Sequence, residues 1–231
     1  MTTVPGRTIA IGDIHGCSLA LKALVDAIGP APQDVLIFLG DYIDRGPDSR
    51  GVLDQVIELR ERCTVIPLLG NHEAMLLAAL KDRTALRLWL SCGGSEAMAS
   101  YSTRLRLPTH PDSLASLLPD AHLSFLQTCQ RYHQTDTHLF VHAGYVPERP
   151  LEEQPTEALY WQPVHVRTAR PHCSGKAAIV GHTPQKSGEI LDLGFLKCID
   201  THCHGGGWLT ALELRTGQNW QADAQGRLRP A

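Results

Sequence analysis

Residues 35–46 read VLIFLGDYIDRG: five apolar residues, a glycine, then a cluster of charged side chains. A short apolar run that stops at glycine reads as a strand buried on both faces. The same phrase occurs upstream at residues 7–16, RTIAIGDIHG, and downstream at residues 64–73, TVIPLLGNHE. Between these runs lie two stretches of helical spacing. Residues 17–28 place Leu21, Leu24, Val25 and Ile28 on one face, and residues 48–62 do the same with Val52, Leu53, Val56, Ile57 and Leu59. Strand, glycine, polar cluster and helix together make a βαβ unit, which pairs its strands in parallel. Such sheets bind ligands beyond the carboxyl ends of their strands, where each polar cluster falls.

Two later runs fit the pattern: 139–142 (LFVH), followed by Ala143-Gly144, and 177–181 (AAIVG), followed by His182-Thr183. Residues 75–130 are helical in spacing, with breaks at Gly93-Gly94, Pro108, Pro111 and Pro119, and predict a helical insertion. From 177 onward, short apolar runs at 189–193, 196–200, 208–214 and 219–222, with a turn at Thr216-Gly217, predict an antiparallel meander. No repeat or linker divides the chain, so residues 1–231 are expected to form a single domain with its insertion at about 75–130.

The 231 residues carry 21 Lys+Arg, 24 Asp+Glu and 43% hydrophobic residues, enough for a sizeable core and unlike a disordered chain. A net charge of −3 argues against coating nucleic acid. No apolar run approaches the roughly 18 residues of a membrane span, so no membrane partner is expected. The first residues show no secretory pattern. The seven cysteines include no CxxC pair, which suggests reduced thiols in a cytoplasmic protein.

Twelve histidines are many for this length, and imidazole is the commonest metal ligand. Asp13 and His15 stand two residues apart and share a face in extended chain. Asp41 has two oxygens and can bridge two ions; Asn71 adds a neutral oxygen, and His142 and His182 add imidazoles. Such a mixed donor set suits Mn, Fe, Zn or Ni rather than a closed structural zinc site. Two ions roughly 3.5–4 Å apart activate water for in-line displacement at phosphorus. Arg45 can clamp phosphate oxygens, and His72, held by Asp44, can act as general acid. Singly, each cluster reads as a turn or a helix cap. All five in order, each behind an apolar run, read as one site.

The order GDIHG, GDYIDRG, GNHE, HAG, GHTP resembles the phosphoprotein phosphatase family of calcineurin-like metallophosphoesterases, in particular its bacterial and phage serine/threonine phosphatase branch. The tail IDTHCHGGGWLTALEL, residues 199–214, and the stretch WLSCGGSEAMASY, residues 89–101, extend the resemblance over most of the chain. It implies an α/β (α+β) four-layer fold, with a central mixed β-sandwich flanked by helices on both faces. It further implies that Asp13, His15 and Asp41 hold one divalent ion and that Asp41, Asn71, His142 and His182 hold a second. Mn²⁺ is the expected ion, with Fe or Zn the alternatives. Arg45 would bind phosphate, His72 and Asp44 would supply the acid, and a metal-bridging hydroxide would attack phosphorus.

The sequence departs from that pattern in two places. Many relatives carry Trp-x-Arg after the HAG motif, whereas here Trp161-Gln162-Pro163 leaves Arg167 or Arg170 as substitutes. His202-Cys203-His204 stands where the eukaryotic enzymes have another loop; its histidines are expected at the rim, and a zinc site with Cys198 is the lesser alternative. The first functional expectation is a phosphomonoesterase acting on phosphoserine or phosphothreonine proteins, dual specificity included, or on small phosphoesters; Glu73 after Asn71-His72 favours it. The second is a dinucleoside polyphosphate (diadenosine tetraphosphate) hydrolase, and the third a metal-binding scaffold.

Overall fold

A computed structural model describes residues 6–102 and 107–230. The strands are β1 (Thr8–Ile11), β2 (Val35–Phe38), β3 (Thr64–Pro67), β4 (Tyr132–Gln134), β5 (His138–Val141), β6 (Ala177–Val180), β7 (Leu191–Asp192), β8 (Leu196–Cys198), β9 (Leu209–Glu213) and β10 (Asn219–Ala222). They form two mixed five-stranded sheets, ordered β10-β9-β1-β2-β3 and β4-β5-β6-β8-β7. In the first, β1, β2 and β3 run parallel and the β9–β10 hairpin is added antiparallel. In the second, β5, β6 and β8 run parallel between antiparallel edges.

Period-two alternation builds the layers. Ile9 and Ile11 face an outer core and Ala10 faces inward; Leu139 and Val141 face the other outer core and Phe140 faces inward. The inner faces meet in a dry layer that includes Ala10, Ile37, Leu39, Phe140, Ile179 and Leu212. Helices α1 (Ser18–Ile28), α2 (Ser49–Leu59), α3 (Asn71–Ala79), α4 (Arg83–Trp89), α5 (Ser95–Tyr101), α6 (Pro111–Ala115) and α7 (Asp120–Thr128) supply side chains to the outer core of the first sheet. On the second sheet the outer layer is thinner, with the single short helix α8 (Thr156–Trp161) contributing Leu159 and Tyr160. The four-layer α/β sandwich is therefore present.

Helices α3 to α7 fall between β3 and β4, and residues 103–106 of that stretch lie outside the described residues. The predicted meander is not one sheet. β8 pairs parallel with β6, whereas β9 and β10 close the first sheet on β1. Local alternation cannot say which sheet a short strand joins, and the crossing from β8 to β9 places residues 199–208 over the strand ends. His122 is 2% exposed and bridges Tyr101 Oη (2.8 Å) and Asp54 Oδ1 (2.8 Å), tying α5 and α7 to α2. Sequence spacing gives no sign of those long-range partners.

A half-buried ion pair joins the start of β1 to the start of β2. Asp34 accepts from Arg7 Nε (3.1 Å), Arg7 Nη2 (2.6 Å), the Arg7 amide (2.8 Å) and the Ala31 amide (2.9 Å). Burial pushes the Asp34 carboxyl up, but these donors overcome it and bring its pKa to about 2 from 3.8. A depressed carboxylate stabilises fully above its unfolded pKa and loses that contribution as pH falls through the folded value. The Asp34 contribution is therefore complete above 3.8 and is lost progressively as pH falls toward about 2. Replacing Asp34 by Ala removes it and leaves the half-buried Arg7 and Ala31 amides without their acceptor, at about 2–3 kcal/mol. Thermal melts at neutral pH should show a Tm drop of roughly 5–10 °C, and the gap to wild type should close between pH 4 and pH 2.

Candidate metal centre

Five of the parallel strands end on one edge of the sandwich. β1 leads into Gly12-Asp13, β2 into Gly40-Asp41, β3 into Gly70-Asn71, β5 into His142 and β6 into Gly181-His182. Asp41 lies at the middle, 2% exposed. Its Oδ2 is 3.3 Å from His15 Nε2 and its Oδ1 is 3.5 Å from His142 Nε2, so its two oxygens face two different imidazoles. Asn71 Oδ1 lies 2.9 Å from His142 Nε2 and 3.0 Å from His182 Nδ1.

The ring tautomers follow from the backbone. His142 Nδ1 donates to the Leu39 carbonyl (2.8 Å) and His15 Nδ1 to the Ile43 carbonyl (3.0 Å), which leaves both Nε2 lone pairs facing the centre. His182 bonds the Trp161 backbone and turns Nδ1 to Asn71. With Asn71 oriented as it is here, its oxygen meets two bare ring nitrogens. Acceptors facing acceptors at hydrogen-bond distance suit a cation between them. His15, Asp41 and His72, and separately Asp41, His142 and His182, each bring donor atoms within 4.8 Å of one another.

The electrostatics agree with that reading. Burial, with Asp200 and Asp41 nearby, pushes the Asp13 carboxyl well up. Burial pushes Asp41 up as well, but His142, His72, His15 and His182 outweigh it and hold Asp41 below the usual carboxylate range. Burial lowers His142 and brings His182 to about 4, which favours the neutral ring, the form that binds metal. Clustered buried acids and neutral imidazoles fit a pair of divalent cations.

Asp13 sits slightly apart. Its carboxylate accepts the His182 amide (3.0 and 3.2 Å), and a Cβ on Gly181 would lie 2.1 Å from its Oδ1. His72 Nδ1 bonds Asp44 Oδ2 at 2.7 Å, both fully buried. Burial lowers the His72 ring, but Asp41 and the Asp44 hydrogen bond more than offset it and raise its pKa above the ordinary value. Arg45 is exposed and places Nη1 3.0 Å from His15 Nε2. All nine residues singled out from the motifs thus converge on this edge.

Three residues were not assigned these positions from sequence. Glu73, read there as a hint about substrate, accepts the amides of Asp41 (2.9 Å), Tyr42 (2.8 Å), Ile43 (3.3 Å) and Gly70 (3.0 Å) and is fully buried. It shapes the loops and is closed to substrate. Trp89 Nε1 donates to Asp44 Oδ1 and Oδ2 (3.1 and 2.9 Å) from α4, forty-five residues away. The Gly93-Gly94 break lies against that pair: a Cβ on Gly93 would stand 2.8 Å from the Arg45 amide, and one on Gly94 2.5 Å from the Trp89 ring. Asp200 follows β8 and lies near Asp13; burial brings its pKa up to about 7. Its place after a strand end was the available signal.

The two departures also resolve. Arg170 Nη2 pairs with Glu148 (3.4 Å) and is 69% exposed, and Arg167 is exposed. Cys198 belongs to the outer core of the second sheet and Cys203 to that of the first, so they do not share a zinc site.

A family model for calcineurin-like phosphoesterases matches residues 6–186, and the chain belongs to that family. It is 31% identical to serine/threonine-protein phosphatase 1 of Salmonella typhimurium (strain LT2), over 89% of this chain and 90% of that one. It is 36% identical to the symmetrical bis(5′-nucleosyl)-tetraphosphatase of Janthinobacterium sp. (strain Marseille), over 61% of this chain. The matched part is 44% of that relative, so the chain spans about half the length of the tetraphosphatases it matches. A solved chain provisionally named a diadenosine tetraphosphatase superposes with a TM-score of 0.67 at 23% identity, covering 96% of this chain and 95% of its own. Among the described residues, no helix is long and apolar enough to cross a membrane.

Mn²⁺ at about a hundred times its Kd should raise the Tm by roughly 5–10 °C. Calorimetry should count two ions on the wild type and one on His142→Ala, and Asp41→Asn should lose most of the thermal shift. A wild type that binds a single ion would count against the paired arrangement.

Proposed function

We propose that this chain hydrolyses a phosphorus–oxygen bond at a two-ion centre and that its substrate is a dinucleoside polyphosphate of the diadenosine tetraphosphate kind. Asp13, His15 and Asp41 would hold one ion; Asp41, Asn71, His142 and His182 would hold the other. When bound, the ions activate a water for in-line attack and offset the charge that builds on phosphorus. Arg45, exposed beside His15, takes the phosphoryl oxygens. His72 gives its proton to the leaving oxygen, with Asp44 and Trp89 fixing its ring.

The observation that carries the substrate is the charge along the rim. Arg45 and the exposed Lys186 both lie near enough to His202 to lower its pKa, which sets two cationic side chains on this rim. A polyphosphate chain carries the further negative charge that such a rim attracts. Several of the relatives similar to this chain are also symmetrical tetraphosphatases. A second reading, phosphoserine or phosphothreonine protein phosphatase, is favoured by the Salmonella relative, which is matched over nearly its whole length.

The test is turnover by Mn²⁺-loaded protein on diadenosine tetraphosphate, p-nitrophenyl phosphate, a phosphoserine peptide and a phosphotyrosine peptide. The dinucleotide should be preferred by at least about tenfold in kcat/KM, and His72→Asn should cost roughly 10²–10⁴-fold on it. Preference for the phosphoserine peptide would establish the second reading instead, and silence on all four with two ions bound would point to a scaffold.

A further inference from the structure

Six non-glycine residues among those described have left-handed backbone: His15, Asp41, Asp44, Arg45, His182 and His202. Five belong to the loops of the metal centre, where strained backbone is retained because the site requires it. The sixth, His202 at φ 64°, lies in the loop between β8 and β9, which none of the assigned roles uses.

That loop is built as a closed knob. The His202 amide donates to Asp200 Oδ1 (3.0 Å), and its carbonyl accepts from Gly205 (3.1 Å) and Gly207 (2.9 Å). Thr201 Oγ1 donates to the Trp208 carbonyl at 2.6 Å, closing the base. Cys203 is buried in the first sheet's outer core against Cys17, which pins the loop to the first motif. The His202 ring lies flat on Gly205, where a Cβ would stand 2.0 Å from its Nε2, and its Nδ1 is buried without a partner.

The consequence is the position of His204. Its ring meets His202 edge-on at 4.9 Å and His15 edge-on at 4.6 Å, while His15 meets His72 at 4.7 Å. His204 thus borders the same imidazole as the acid His72 and the clamp Arg45. It is half-buried, and neither ring nitrogen has a hydrogen-bond partner among the described residues. An imidazole held rigidly by its neighbours, with a free N–H beside a phosphate clamp, is a preorganised donor.

We propose that His204 is a substrate-contacting residue that donates to the phosphoryl group adjacent to the one cleaved, held in place by His202. It selects substrates with consecutive phosphates. The assignment rests on the polyphosphate reading of the site.

The test is calorimetric binding of pyrophosphate and of orthophosphate to Mn²⁺-loaded wild type, His204→Ala and His204→Gln, at fixed free Mn²⁺. His204→Ala should weaken pyrophosphate about tenfold and orthophosphate less than about threefold. His204→Gln, which keeps an N–H donor, should recover most of the loss, a rescue that a purely structural role would not give. Equal losses for both anions, or no loss for either, would overturn the assignment. Absence of diadenosine tetraphosphate turnover by the wild type would sink the substrate reading, while the ratio of the two anion affinities would still judge His204.

Discussion

Glu73 accepts the amides of Gly70, Asp41, Tyr42 and Ile43 with a carboxylate that solvent does not reach, and so shapes the ends of two strands at once. Asp41 must take left-handed backbone, φ 51°, to turn its two oxygens toward two sets of imidazoles. Such a backbone is costly away from glycine, and the Glu73 acceptors hold it there. The same bonds start α3, which presents Asn71 and His72 on its first turn. Asp41, Asn71 and His72 thus take their positions from one buried side chain.

Around it, the centre concentrates groups that repel one another. Asp13, Asp41, Asp200 and Glu73 are buried together, and burial pushes Asp200 and Glu73 up to about 7 and about 8. The four-layer frame tolerates this because the strands behind it are dry on both faces and cannot relax. Divalent cations are the complement such a site calls for.

The insertion reaches into the chemistry rather than decorating the fold. Trp89 is wholly buried and spends its only N–H on Asp44, so the acid pair is completed from outside the βαβ units. The Gly93 carbonyl accepts from the Arg45 amide (3.2 Å), and Gly93 leaves no room for a side chain there. The orientation of Arg45 and the basicity of His72 therefore depend on a segment that contributes no ligand.

Much was legible in the sequence because it is written locally. Strands buried on both faces need continuous apolar runs, so 35–39, 64–69, 139–142 and 177–181 stood out, and parallel pairing sends each following polar cluster to one edge. That was enough to gather Asp13, His15, Asp41, Asp44, Arg45, Asn71, His72, His142 and His182 before any coordinates. The roles of Glu73 and Trp89 were not legible, because a hydrogen bond across tens of residues leaves no periodicity. Nor was the division of β7 to β10 between two sheets, since strands of two to five residues alternate alike in either. Sequence alone determined the class of fold and the donors at its edge. The rim position of His202 and His204 was expected, but only the tertiary structure decided that His204 is the ring that meets His15, because packing between the sheets, not local pattern, sets the path of the β8–β9 crossing.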